Sequence, residues 1–286
     1  MRINMTQNPA ALIRSSLTFG FSRAGKTVFN ATWPRPAWIG SAREDGYESL
    51  RYMDRSLLYD PHVIPDVYTV SSIAEIRGHL DRDILPKVRT GAIRSIILEI
   101  STYSDDVVVS TKRLMKGDAN SKENGWAIYG TLEDHVMLLD AELKKYPHLH
   151  VAYNALATPP TDKVPGGIVI AGRKLPEKLP PMCQLVGYLR QEEFQGKVDR
   201  VLHLSAYGGW SPGHRFGALL PNFVRNPTYR GLEQLLRGEK IVDGAGNIID
   251  RPPPQVQVPV TLPPLGGSPP IAPPPQGAPA GLPPLK

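Results

Sequence analysis

The sequence predicts an α/β fold with a mainly parallel sheet, a β-hairpin extension and a disordered, proline-rich C-terminal tail. Three observations carry that prediction. Short apolar runs alternate with amphipathic segments through the first half, hairpin-like apolar runs follow one another in the second, and proline takes over from residue 251.

Taken in order, residues 14–20 read as a strand, and 26–33 as a helix stopped by Pro34 and Pro36, with a glycine-bounded turn between them. Residues 37–41 are a short apolar run, and 47–58 carry Leu50, Met53 and Leu57 at helical spacing. A third strand is expected at 66–71. Ser72 and Glu75 then have capping-box spacing, opening a helix with Ile73, Ile76, Leu80 and Ile84 on one face that is expected to end at Pro86. Residues 95–100 form a continuous apolar run containing one carboxylate, the pattern of a central strand buried on both faces. A polar stretch, 102–125, follows as a loop. Thr131 and Asp134 next precede a long amphipathic helix bearing Leu132, Val136, Leu139 and Leu143. Strands are expected at 150–155, 168–170, 184–190 and 200–206, the later ones antiparallel.

This order divides the chain into an N-terminal extension (1–13), an α/β domain (14–250) and the tail (251–286). Fourteen of residues 252–286 are proline, which leaves no amphipathic period and sets that segment apart as disordered or polyproline II. It reads as a spacer or as a docking segment for a partner. Apolar residues at 41% with 21% charged residues exclude wholesale disorder elsewhere. The balance of 33 Lys and Arg against 27 Asp and Glu, +6 with a pI near 9.3, favours an anionic partner. One cysteine, Cys183, excludes a disulfide framework or multi-cysteine zinc site and reads as a small core residue. Without a secretory leader or an apolar run near the ~20 residues a membrane span needs, a soluble cytoplasmic protein is expected.

The sharpest chemical signal is Gly20, Phe21, Ser22, Arg23, Ala24, Gly25, Lys26 and Thr27, which match G-x-x-x-x-G-K-[ST] at every fixed position. The two glycines permit torsions that turn successive amides inward toward phosphate oxygens. Lys26 is then expected to reach the β- and γ-phosphates of ATP, and the Thr27 hydroxyl to bind Mg2+. Glu99, at the end of the buried run, is the candidate second metal ligand; the alternative is a satisfied strand-end acid. Glu44, beyond the second strand, is a candidate to polarise the attacking water or an ordinary loop acid. Asn154, on a later core strand, is a candidate γ-phosphate sensor. Arg215 is a candidate arginine finger reaching a neighbouring subunit's phosphates. Lys112, Arg113, Lys116 and Lys122 mark the 102–125 loop as a possible nucleic-acid contact, though no aromatic residue is interleaved for base stacking. His148 and His150 lack a third ligand, so no metal centre beyond magnesium is expected.

The phosphate turn, Ile96 to Thr102 as I-I-L-E-I-S-T, and Gly172-Arg173-Lys174-Leu175-Pro176 followed by Leu179-Pro180-Pro181-Met182-Cys183-Gln184-Leu185-Val186 together resemble the phage-encoded RecA-like P-loop ATPases of the AAA type, a group that includes single-strand annealing recombinases. The resemblance spans about 14–236, and only the phosphate turn is specific by itself. It implies a RecA-like core, ATP and Mg2+, and action with single-stranded DNA and its single-stranded-DNA-binding protein in phage recombination or replication. It also implies assembly into a homo-oligomeric ring or filament, in the cytoplasm of a bacterial host. Two departures stand out: such proteins usually carry aspartate where Glu99 stands, and a more acidic segment than Gly40-Ser41-Ala42-Arg43-Glu44. The alternatives are a nucleotide-binding assembly or adaptor protein with slow or no hydrolysis, its tail recruiting a partner, and a small-molecule kinase using the same turn.

Overall fold

The computed structural model describes residues 13–117, 125–194 and 196–251. The expected N-terminal extension up to residue 12, Lys122 and the proline-rich tail from residue 252 lie outside the described residues.

Strand β1 (Ser15–Gly20) leads through the glycine-bounded turn into helix α1 (Lys26–Ala31). Next come β2 (Pro36–Gly40), a 3-10 turn over Asp45–Glu48 and the single helical turn α2 (Ser49–Tyr52). The helix expected over 47–58 is broken here. Met53 and Asp54 are extended, and the Asp54 carboxylate accepts from Ser56 N at 2.9 Å, a local bond that competes with helix continuation.

After β3 (Asp66–Thr69), Ser72 caps α3 (Ile73–His79) by accepting from Glu75 N. The helix does not end at Pro86. A π-turn over Leu80–Ile84 re-phases the backbone, and α4 (Leu85–Arg89) restarts with Pro86 in its first turn, where the missing N–H is not needed.

Strand β4 (Ser95–Glu99) runs directly into α5 (Ile100–Gly117), so the first part of the expected 102–125 loop is helix. Tyr103, Val107 and Thr111 are buried at helical spacing; the charges between them occupy the solvent face. Lys112 and Arg113 are exposed on this helix rather than on a loop. Helix α6 (Gly125–Leu143) starts before Thr131, whose hydroxyl donates to Ala127 O as a mid-helix residue does.

The second half comprises β5 (His150–Thr158), β6 (Gly167–Val169), α7 (Leu175–Met182), β7 (Leu185–Phe194), β8 (Lys197–His203) and β9 (Gly213–His214). Strand β10 (Phe223–Arg225), helix α8 (Tyr229–Leu236) and a separate pair, β11 (Lys240–Val242) with β12 (Ile248–Asp250), complete it. The main sheet runs β10-β8-β7-β1-β5-β4-β2-β3, with β6 on β5 and β9 on β7. Strands β7, β1, β5, β4, β2 and β3 are parallel to their neighbours; the β7–β8 hairpin, β10, β6 and β9 add antiparallel pairs.

Two apolar clusters sandwich the sheet. Ile96 and Leu98 of β4 join the cluster that holds α3 to α7, while Ile97 joins the one that holds α1 and α8. All three are fully buried, each contributing about 1.5–3 kcal/mol, which explains a strand with no polar alternation. Among the described residues, no helix is long and apolar enough to cross a membrane.

Two core histidines make the fold acid-sensitive. His135 meets the Tyr103 hydroxyl at 2.6 Å, and His150 lies 2.5 Å from Ile13 O with Trp33 and Tyr229 packed against its ring. Burial lowers each imidazole from its ordinary 6.5 to about 4. The unfolded chain therefore takes up these protons first, so stability present above pH 6.5 is lost as pH falls toward 4, by up to about 3 kcal/mol per ring. Urea unfolding at stepped pH should show this slope, and His135→Gln should reduce it by one proton; an unchanged slope would contradict the assignment.

Candidate phosphate site

Parallel β1 delivers Gly20 to the carboxyl edge of the sheet, next to β5 and β7, where an α/β fold places its ligands. Gly20 is required by crowding: a Cβ there would stand 2.2 Å from Leu189 O of β7. Gly25 is required by conformation. It is left-handed at φ 91° and precedes α1 directly, and Arg23 is left-handed too at φ 63°. The chain thus curls back on itself with the first-turn amides of α1 unpaired within the helix.

The Lys26 ammonium folds over this turn and donates to Gly20 O at 3.0 Å and Phe21 O at 2.9 Å. Burial pushes its pKa down, while the charges of Glu99 and Glu44 push it back up. A chain stem nearly removed from water, with its charge on two carbonyls, is a cation held ready for an anion.

The register sets the opposite wall. Thr18 of β1, Asn154 of β5 and Glu99 of β4 stand side by side across three parallel strands. Asn154 Nδ2 donates to Glu99 Oε1 at 2.6 Å, while Asn154 Oδ1 is buried without a partner. Burial raises the Glu99 carboxyl to about 8, the Asn154 hydrogen bond opposing and the Glu44 charge assisting that rise. Glu44 begins the 3-10 turn after β2, accepting from Gly46 N at 3.3 Å, and a Cβ on Gly46 would be 3.3 Å from Thr27 Oγ1. Lys26, Thr27, Glu44, Glu99 and Asn154 thereby line one cavity of about 830 Å³.

Arg215 is not brought to this cavity. It follows β9, its backbone N–H donates to Gln184 O at 2.9 Å and its guanidinium to Pro181 O. Gln184 aligns with the start of β1, so Arg215 lies roughly 15–20 Å along the sheet from Gly20. His148 and His150 each face a backbone carbonyl, and among the described residues no cluster of three or more His, Cys, Asp or Glu side chains is placed to hold a metal. Any magnesium here would depend on phosphate oxygens, the Thr27 hydroxyl and the neighbouring carboxylates.

Sequence reasoning missed four contributors. Tyr47 places a buried, unpartnered hydroxyl where a Cβ on Gly40 would be 1.8 Å away, so Gly40 exists to admit it beside Glu99. Ser101 braces the wall by donating to Val169 O and accepting from Leu156 N at 2.9 Å. Arg200 and Asn226 arrive from the far hairpin and line the same cavity. None has a local sequence signal, since each depends on which strands become neighbours.

The donors present fit a magnesium nucleotide: inward-curled amides, an ammonium parked on carbonyls, a hydroxyl at the head of α1, and a carboxyl held by an amide whose oxygen is unsatisfied. No protein-family model matches the chain, and no curated protein matches it. Among solved structures, a KaiC-like protein from the hyperthermophilic archaeon Pyrococcus horikoshii OT3 is similar at 13% identity, with a TM-score of 0.38 over 66% of this chain and 77% of that one. The chain is α/β with a mainly parallel central sheet, and its phosphate turn joins the first strand to the first helix in the order of a P-loop.

Proposed function

We propose that the chain binds ATP with magnesium in the cavity above β1 and hydrolyses it, acting with single-stranded DNA as a homo-oligomer in phage recombination or replication. The single observation that carries the nucleotide reading is the Lys26 ammonium on the Gly20 and Phe21 carbonyls, facing Glu99 across the cavity. In this reading the amides of 22–27 and Lys26 take the phosphates, and Thr27 and Glu99 hold the metal. Magnesium bound there would supply charge neutralisation of the phosphates. Glu44 orients the attacking water, and Asn154, with Nδ2 on Glu99, has its Oδ1 free to accept from that water. A net charge of +6 and exposed Lys112 and Arg113 on α5 support the DNA component.

Phosphate release by the full chain, measured with and without a single-stranded oligonucleotide, tests both parts. Turnover should require magnesium and rise several-fold with the oligonucleotide. No release in either arm while ATP still binds would favour the second reading, a nucleotide-binding assembly protein, which the elevated Glu99 carboxyl supports. Equal release in both arms would remove DNA from the proposal.

A further inference from the structure

Among the described residues, the Arg200 guanidinium in the cavity wall has no counter-ion. Arg200 sits on β8, and its stem crosses the phosphate turn so closely that a Cβ on Gly25 would be 2.5 Å from Arg200 Cδ and 3.8 Å from Nε. Its guanidinium makes no ion pair or hydrogen bond among the described residues. Of the other arginines nearby, Arg225 pairs with Glu192 at 3.4 Å and Asp199 at 3.5 Å and Arg43 pairs with Asp106, while Arg23 on the phosphate turn is exposed to solvent. The nearest carboxylate in sequence, Asp199, is further occupied by Asn226 Nδ2 at 2.9 Å. Arg200 is half-buried all the same, and burial pulls its guanidinium pKa down. A partly desolvated charge without a partner is costly unless an anion completes it.

The backbone of Arg200 is also fixed. Asn226, held in the left-handed region at φ 44°, accepts from Arg200 N at 3.1 Å and donates its own N–H to Arg200 O at 2.6 Å. The middle of β8 and the end of β10 are thereby tied together at the cavity rim, and Asn226 acts as a positioning residue.

Topology decides which part of an anion this guanidinium meets. Glu99 stands two strands from β1 on one side, through β5, and Arg200 stands two strands away on the other, through β7. We propose that Arg200 clamps the phosphate chain of the nucleotide from the side opposite the metal, within the same subunit, gripping oxygens that ADP retains. It is a ground-state binding residue, distinct from a finger acting on the γ-phosphate. The inference rests on the nucleotide reading above and deepens it by assigning the phosphate-chain contact.

The test is titration of the full chain with ADP and with ATP, both with magnesium, alongside steady-state turnover. Arg200→Met keeps the aliphatic stem over Gly25 and removes the charge; Arg200→Lys restores the charge without the planar fork. Arg200→Met should weaken ADP and ATP about equally, by about 10- to 100-fold, and raise KM while leaving kcat within about twofold, with Arg200→Lys recovering part of the affinity. An unchanged thermal midpoint would show that the Arg200→Met fold is intact; if that variant unfolds, the Arg200→Lys arm decides, since a fork-specific contact still requires weaker ADP binding. Parent-like ADP affinity in Arg200→Met overturns the clamp, as does a fall in kcat with ADP affinity unchanged. A parent chain that takes up neither nucleotide overturns the nucleotide reading itself, and the clamp with it.

Discussion

Lys26→Ala is expected to reduce kcat/KM for ATP by on the order of 1,000-fold, the largest effect of any single side chain in the cavity. The ammonium does two things at once. It satisfies the carbonyls of Gly20 and Phe21 at 3.0 and 2.9 Å, and its charge opposes the Glu44 carboxylate, and Glu99 wherever that group ionises, both of which otherwise repel an incoming triphosphate. Each hydrogen bond to a charged group is worth about 1.5–3 kcal/mol, so binding alone accounts for a large part of the loss. Charge developing on the phosphates accounts for the rest, because a fixed cation in a dry site stabilises it without reorganisation. Steady-state phosphate release reads the outcome. A variant that retained a tenth of the parent's turnover would remove Lys26 from the phosphate site.

The parts of this site that were legible in the sequence are those whose geometry is local. Eight consecutive residues specify the phosphate turn because the required torsions belong to Gly25 and the required crowding to Gly20. Glu99 was legible because a strand buried on both faces has to be apolar throughout, so a carboxylate at its end stands out. Asn154 needed only the expectation that its strand lies in the core. Arg200 and Tyr47 were not legible, since their roles exist only once β8 folds back along β7 and Gly40 aligns beside Glu99. Arg215, read as a finger for a neighbouring subunit's phosphates, follows β9 at the far end of β7 from this subunit's own cavity. In the fold, local hydrogen bonding by Asp54 and the π-turn before Pro86 defeated a reading based on period alone. The first part of the 102–125 segment misread for a different reason: three buried residues four apart, Tyr103, Val107 and Thr111, are diluted by charges that only mark the helix's outer face.

Glu99→Gln should separate metal use from nucleotide binding. The substitution keeps the side-chain length, and its amide oxygen still accepts from Asn154 Nδ2, so the 2.6 Å contact that fixes the wall survives. The carboxylate that metal binding would generate does not. ATP binding without magnesium is therefore expected to be retained, whereas magnesium-dependent turnover should fall by about 100-fold or more. The Glu99 side chain is accommodated by Gly40, on which a Cβ would lie 2.9 Å from Glu99 Cβ. The stem of Glu99 runs over that gap, so Glu99→Asp should shorten the reach by about 1.5 Å and not restore the parent rate. Protonation adds a second signature. Burial holds the Glu99 carboxyl at about 8, so metal binding displaces a proton, and turnover at limiting magnesium should climb as pH rises from about 6 to about 8 in the parent but not in Glu99→Gln. A Glu99→Gln chain with the parent's rate, magnesium requirement and pH profile would move the metal's protein carboxylate to Glu44, the other acid whose charge reaches Lys26.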